Sequence, residues 1–188
     1  MRRSTPRSPL HDKLGDRLHE VAGIVCLVHP WNFMTLREGV PADTLRARVS
    51  MRYCVAAALR FGALGSSQFT DEALGDPLVQ KFMTLIEIRQ ADDLPDNGLF
   101  PAAVEVRLAD GHSAHVRCDI PPGAPAMPMS EAEAEQKYRS CASVVLDASA
   151  IERTRANDIW ASTASPMSAS SASRSREEGG HDPVTTGS

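Results

Sequence analysis

Residues Arg48 to Pro77 read RVSMRYCVAAALRFGALGSSQFTDEALGDP. Four signals follow one another here without a spare residue. A small-residue run predicts a helix from about Asp43 to Phe61, with Gly62 as its C-terminal stop. Val49, Tyr53, Ala56 and Ala57 fall on one stripe of that helix, with Arg48 and Arg52 to one side. Ala56, Ala57 and Ala58 give it a thin profile, so another element can approach its backbone. A Gly turn and a short acidic segment lead to Asp76-Pro77, which reads as the N-cap and first position of a second helix. Leu78, Val79, Phe82 and Met83 supply the apolar positions of that second helix.

Outward from this stretch the pattern alternates between strand and helix. Val21 to Val28 (VAGIVCLV) reads as a buried strand, and His29-Pro30 ends it. Upstream, Leu10, Leu14 and Leu18 recur at helical spacing, while residues 1–9 have the composition of a disordered tail. Residues 31–42 read as a loop with Trp31 and Phe33 packed beneath it. Leu85 to Arg89 (LIEIR) alternates like a strand, and residues 91–101 carry strong turn chemistry. Ala103 to Cys118 reads as a β-hairpin. A two-residue Asp110-Gly111 loop would set Val106 opposite His115 and mix the two faces. A three-residue loop, Ala109 to Gly111, sets Val106 opposite Ala114 and puts Gly111 at the left-handed position of a bulged turn. It places Glu105 beside His115 on the outer face. Ser130 and Glu133 form a capping box for a helix running to about Leu146. After about Trp160 the chain is rich in Ser, Ala, Thr and Gly, a composition that predicts disorder.

Strands, amphipathic helices and one hairpin together predict an α+β fold, a mainly antiparallel sheet packed with helices. The expected organisation is a tail and helix remnant over 1–19, a domain over 20–150, and a Ser-rich tail over 151–188. The length of 188 residues suits one domain with tails. The net charge of −4 argues against a nucleic-acid partner. Arg2, Arg3 and Arg7 read as part of a solvated tail. No apolar run reaches bilayer length and no secretory signal is evident, so the expectation is a cytoplasmic protein without a membrane partner. Cys26, Cys54, Cys118 and Cys141 form no C-x-x-C pair and are expected to be buried free thiols. His112 and His115 would point to opposite faces of a strand and cannot chelate one metal there. No P-loop, Rossmann glycine pattern, G-x-S-x-G or H-E-x-x-H is present.

Several spaced motifs carry a resemblance. The run from Arg48 to Pro77, the segment Leu74-Gly75-Asp76-Pro77-Leu78-Val79, and the turn Leu108-Ala109-Asp110-Gly111 come in order. They are followed by Gly123-Ala124-Pro125-Ala126-Met127-Pro128-Met129-Ser130 and the triplet Lys137-Tyr138-Arg139. Over about residues 20 to 150 the chain resembles the C-terminal lid domain of the MmgE/PrpD family, which includes 2-methylcitrate dehydratases and cis-aconitate decarboxylases. Three departures stand out. Met127 stands where the family commonly has Asn. Val49 replaces an aromatic residue. The returning C-terminal helices give way to the Ser-rich tail from about Ile159. The resemblance implies a lyase acting on small tricarboxylates, with no cofactor and no metal. It also implies that most catalytic groups belong to a separate helical domain. On this reading the chain is half an enzyme, inactive alone, and its uncovered apolar surface should self-associate. A non-catalytic relic or binding module derived from the family is the competing expectation.

The resemblance singles out Tyr53 as the catalytic candidate, a phenol facing the cleft and able to donate a hydrogen bond to a carboxylate. Periodicity alone instead gives a core ring with its hydroxyl at the edge. Arg52 and Arg60 are the candidate substrate-binding residues, adding positive potential for an anion; the bland alternative is two solvated charges flanking a core helix. The family also uses a histidine just upstream of the lid. His11 is the upstream candidate here, but the surrounding motif is absent and that role is not carried over to it.

Overall fold

A computed structural model describes residues 8–36, 39–96 and 100–154. The expected N-terminal tail and Ser-rich tail, with Arg2, Arg3, Arg7 and His181, lie almost entirely outside the described residues. Residues up to Leu146 make one compact unit, and Asp147 begins a second. In that second unit α8 (Ala148–Thr154) starts at Asp147, whose carboxylate accepts from the Ala150 N–H at 2.8 Å.

The first unit holds a four-stranded sheet in the order β2-β1-β3-β4. Its strands are β1 (Val21–Val28), β2 (Ile86–Gln90), β3 (Ala102–Leu108) and β4 (Ser113–Cys118). The β1–β3 and β3–β4 pairs are antiparallel and β1–β2 is parallel. The fold is therefore α+β with a mixed sheet. The parallel pair requires a crossover, and the crossover is the helical segment between Val28 and Ile86. That segment contains α2 (Pro30–Leu36), α3 (Thr44–Ala47), α4 (Met51–Phe61), α5 (Asp71–Leu74) and α6 (Pro77–Leu85). Before β1 come α1 (Pro9–Leu14) and a 3-10 turn, Gly15–Glu20; after β4 comes α7 (Glu131–Ala142).

One sheet face carries the core. Ile24, Cys26, Val28, Ile86, Val106 and Leu108 are buried there with Tyr53, Ala56, Leu59, Val79, Phe82 and Met83 from α4 and α6. The other face alternates with it and presents Glu87, Arg89, Glu105, Arg107, His115 and Arg117. The hairpin follows the predicted register: Val106 pairs with Ala114, and Glu105 with His115. Gly111 has φ +90°, the left-handed conformation its turn needs.

The caps of α4 and α6 are also as predicted. Gly62 closes α4 with φ +74°. The Asp76 carboxylate accepts from Leu78 N–H at 2.9 Å and Val79 N–H at 3.1 Å, with Pro77 at the first helical position.

Five expectations are corrected. The helix from Asp43 to Phe61 is two helices, because Ser50 turns its hydroxyl back to accept from the Tyr53 N–H at 3.3 Å and starts α4 afresh. Val49 sits in the break and is exposed. Residues 30–36 are helical rather than loop, since Pro30 fits a first helical position. Trp31 is 82% exposed instead of packed beneath a loop, while Phe33 does lean on the core. Helix α7 stops at Ala142, short of Leu146. All four cysteines are free, but only Cys26 is buried; Cys118 and Cys141 are exposed.

Candidate functional site

The three residues singled out by sequence all lie on α4, and the structure gives each an internal partner. Tyr53 faces the core with no exposed surface. Its hydroxyl donates to the Gln68 carbonyl, its ring lies 5.6 Å from Phe69, and burial pushes its pKa up, with Cys54 adding to the shift. Gln68 in turn fixes its own turn, because its side-chain oxygen accepts the Gly65 N–H at 2.9 Å. The phenol therefore braces the 65–69 segment against α4.

Arg52 reaches across to the end of α6. Its guanidinium donates to the carbonyls of Ile86 and Met83, the latter at 3.3 Å. These carbonyls belong to the end of a helix that has run out of N–H partners, and a cation there also suits the helix dipole.

Arg60 lies seven residues beyond Tyr53 on the same stripe, about 10 Å further along the axis. Its Nε is 3.2 and 3.3 Å from the two Asp76 carboxylate oxygens, and its guanidinium stacks 5.6 Å from the Phe61 ring centroid. Asp76 thus ties α4 to the start of α6. The Arg60 side chain stays 39% exposed, so one side of it remains open to solvent.

That open side borders a cleft of about 440 Å³ between the N-terminal segment and the end of α4, lined by His11, Asp12, Asp16, His19, Arg60 and Leu78, among others. Leu10 and Leu14 are buried and seat α1 on the core, which leaves His11 at the margin of the stripe. His11 Nδ1 lies 2.6 Å from the Leu59 carbonyl. A carbonyl only accepts, so Nδ1 carries the proton and Nε2 is the acceptor of the neutral ring. The imidazole lies over Gly62, where an added Cβ would come within 2.9 Å of the ring. The Ser8 N–H adds a second tie, donating to the Gly62 carbonyl at 2.6 Å.

The arrangement sets a proton acceptor and an arginine on one cleft. Sequence reasoning found the arginine and passed over the histidine. The available signal was indirect: Gly62 is required both by its backbone and by a ring resting on it.

Charge also fastens the N-terminal segment to the hairpin. Arg17 pairs with Glu20 and Asp110, and Lys13 Nζ donates to the His115 carbonyl at 3.0 Å. The His112 backbone N–H and Arg17 together hold the Asp110 carboxyl at about 2. Among the described residues, no group of three or more His, Cys, Asp or Glu could hold a metal ion. No helix among them is long and apolar enough to cross a membrane.

Comparison with known proteins agrees with the motif order. A family model for the MmgE/PrpD C-terminal domain matches residues 8–160. The Homo sapiens protein cis-aconitate decarboxylase is 26% identical over 122 residues, which is 64% of this chain and 25% of that protein. The chain thus spans a region equal to about a quarter of that relative. With more than half its length matched, from α1 through α8, the chain belongs to the MmgE/PrpD family as a C-terminal domain of that family.

Proposed function

We propose that this domain is the lid portion of a lyase acting on small tricarboxylates, working with a helical domain supplied outside these residues. The observation that carries this reading is a cleft lined by both His11 and Arg60 on a domain of this family. Elimination or decarboxylation beside a carboxylate needs a proton acceptor and a positive charge at the developing anion. Arg60 supplies one positive charge and His11 the acceptor, and the helical domain supplies the further cations a tricarboxylate needs beside Asp12 and Asp16. Tyr53 and Arg52 have structural roles on this reading, holding the 65–69 segment and the end of α6 in place. Closure of the lid over a partner domain would exclude water from the cleft.

The uncovered apolar side chains fit the same reading. Trp31, Met34, Phe100 and Val145 are each more than half exposed. Surface of that kind favours association, so the isolated chain should form dimers or larger species in light scattering.

The test uses the chain mixed with a helical domain of the family. His11→Gln should lower kcat by at least about a hundredfold through loss of the acceptor. Arg60→Met should act mainly on KM through lost charge. Unchanged kcat in His11→Gln, with the variant folded, would refute the assignment.

One observation favours a second reading, a non-catalytic binding module. The Tyr53 hydroxyl and the Arg52 guanidinium are both engaged inside the domain. Wild-type turnover by the mixture would exclude that reading.

A further inference from the structure

None of the residues of helix α7 is buried, a trait it shares with α2 in the first unit. Its Glu133, Lys137, Ser140 and Cys141 recur at the spacing that puts them on one side of a helix. That side faces the Leu64–Ser66 turn across a groove of about 360 Å³, closed by Pro122 and Met129. The groove is separate from the cleft at His11 and Arg60, and the function proposed above makes no use of it.

The chemistry of its walls is specific. Leu64, Pro122 and Met129 are apolar, and Leu64 and Met129 are each more than a third exposed. Lys137 is the one cation among the lining residues. No ion pair or hydrogen bond engages its ammonium among the described residues. Glu133 lies one turn away, but its carboxylate is taken by the capping box. It accepts from the Ser130 N–H at 2.8 Å and the Ser130 hydroxyl at 2.7 Å, which holds its pKa below the usual carboxylate range. The Ser66 and Ser140 hydroxyls are polar groups on the same walls.

We propose that this groove binds a monocarboxylate with a hydrocarbon tail, the carboxylate on Lys137 and the tail against Leu64, Pro122 and Met129. A tricarboxylate does not suit it. There is one cation to meet three negative charges, and Glu133 would repel the second. A neutral apolar ligand would leave the ammonium unmet. The wall opposite α7, with Gly65 and Ser66, belongs to the turn that Gln68 fixes and Tyr53 braces. Occupancy would therefore stiffen that turn.

Cys141 reports on the groove directly, because its exposed thiol is part of the wall; Cys118, exposed but absent from the lining, is the internal control. The experiment is iodoacetamide alkylation of the full chain with octanoate added, read peptide by peptide by mass spectrometry. Octanoate is expected to slow Cys141 alkylation in a saturable way, with a Kd on the order of millimolar for a ligand of this size. Cys118 should be unaffected. Octan-1-ol should protect far less. Lys137→Met keeps the alkyl stem and removes the charge, and should raise the octanoate concentration needed by about tenfold or more. Lys137 is exposed, so this variant should fold like the parent. An unprotected Cys141, equal slowing of Cys118, equal protection by the alcohol, or undiminished protection in Lys137→Met would each overturn the proposal.

Discussion

Replacing Gly62 by alanine tests how the N-terminal segment is locked to α4. Gly62 has φ +74°, and an L-residue there costs about 1–2 kcal/mol. The new Cβ would lie 2.9 Å from His11 Cδ2 and 3.0 Å from Nε2, closer than carbon and nitrogen tolerate. The neighbour is a side chain, so the ring can swing away. It then gives up its hydrogen bond to the Leu59 carbonyl, worth about 1 kcal/mol. The expected total for Gly62→Ala is about 2–3 kcal/mol, read as a shift in the urea midpoint at unchanged m. A double-mutant cycle with His11→Ala separates the two parts. In the His11→Ala background the cost of Gly62→Ala should fall by about 1 kcal/mol, leaving only the backbone contribution. A loss below about 0.5 kcal/mol in the parent, or a cycle with no coupling, would refute the reasoning that His11 rests on Gly62.

Other outcomes follow from the same geometry. Tyr53→Phe should destabilise the fold by about 1–2 kcal/mol in equilibrium denaturation, because the part-buried Gln68 carbonyl loses its donor. Proteolysis should then cut first within residues 65–69. Acid should loosen the N-terminal segment from the hairpin. The Asp110 pKa is lowered from 3.8 to about 2, so its contribution is fully present above pH 3.8 and is lost as pH falls towards 2. Amide exchange of residues 15–20 measured through that range should rise before global unfolding, whereas no change would deny the Arg17 tie. Native thiol labelling should modify Cys118 and Cys141 and spare Cys26, whose thiol burial pushes up to about 12. Labelling of Cys26 in the folded chain would contradict its place under the sheet.

Much of the fold was legible because local chemistry specified it. The hairpin register followed from strict alternation in β3 and β4 plus one glycine, since a one-residue slip would have turned Val106 to the wrong face. The start of α6 followed from Asp76-Pro77, and that of α7 from the Ser130–Glu133 box. The misreadings came where one residue served two purposes. Pro30 ends β1 and begins α2. Ser50 lies within a helical pattern and yet restarts the helix. The partners of the site residues were not legible. Gln68 is fifteen residues from Tyr53 and binds it through a backbone carbonyl, which no side-chain pattern reveals. Arg52 likewise finds carbonyls more than thirty residues away. The cleft at Arg60 exists only once α1 has packed against the end of α4, so His11 could not be placed from its neighbours in sequence.

The proposed function requires that this domain contribute to lyase chemistry only together with a helical domain. It is tested most directly by turnover of 2-methylcitrate and cis-aconitate, measured on the purified chain alone and mixed with a helical domain of the family. The expected result is silence from the chain alone and turnover in the mixture. Turnover by the chain alone, or a folded and associated mixture that remains silent on both substrates, would contradict it.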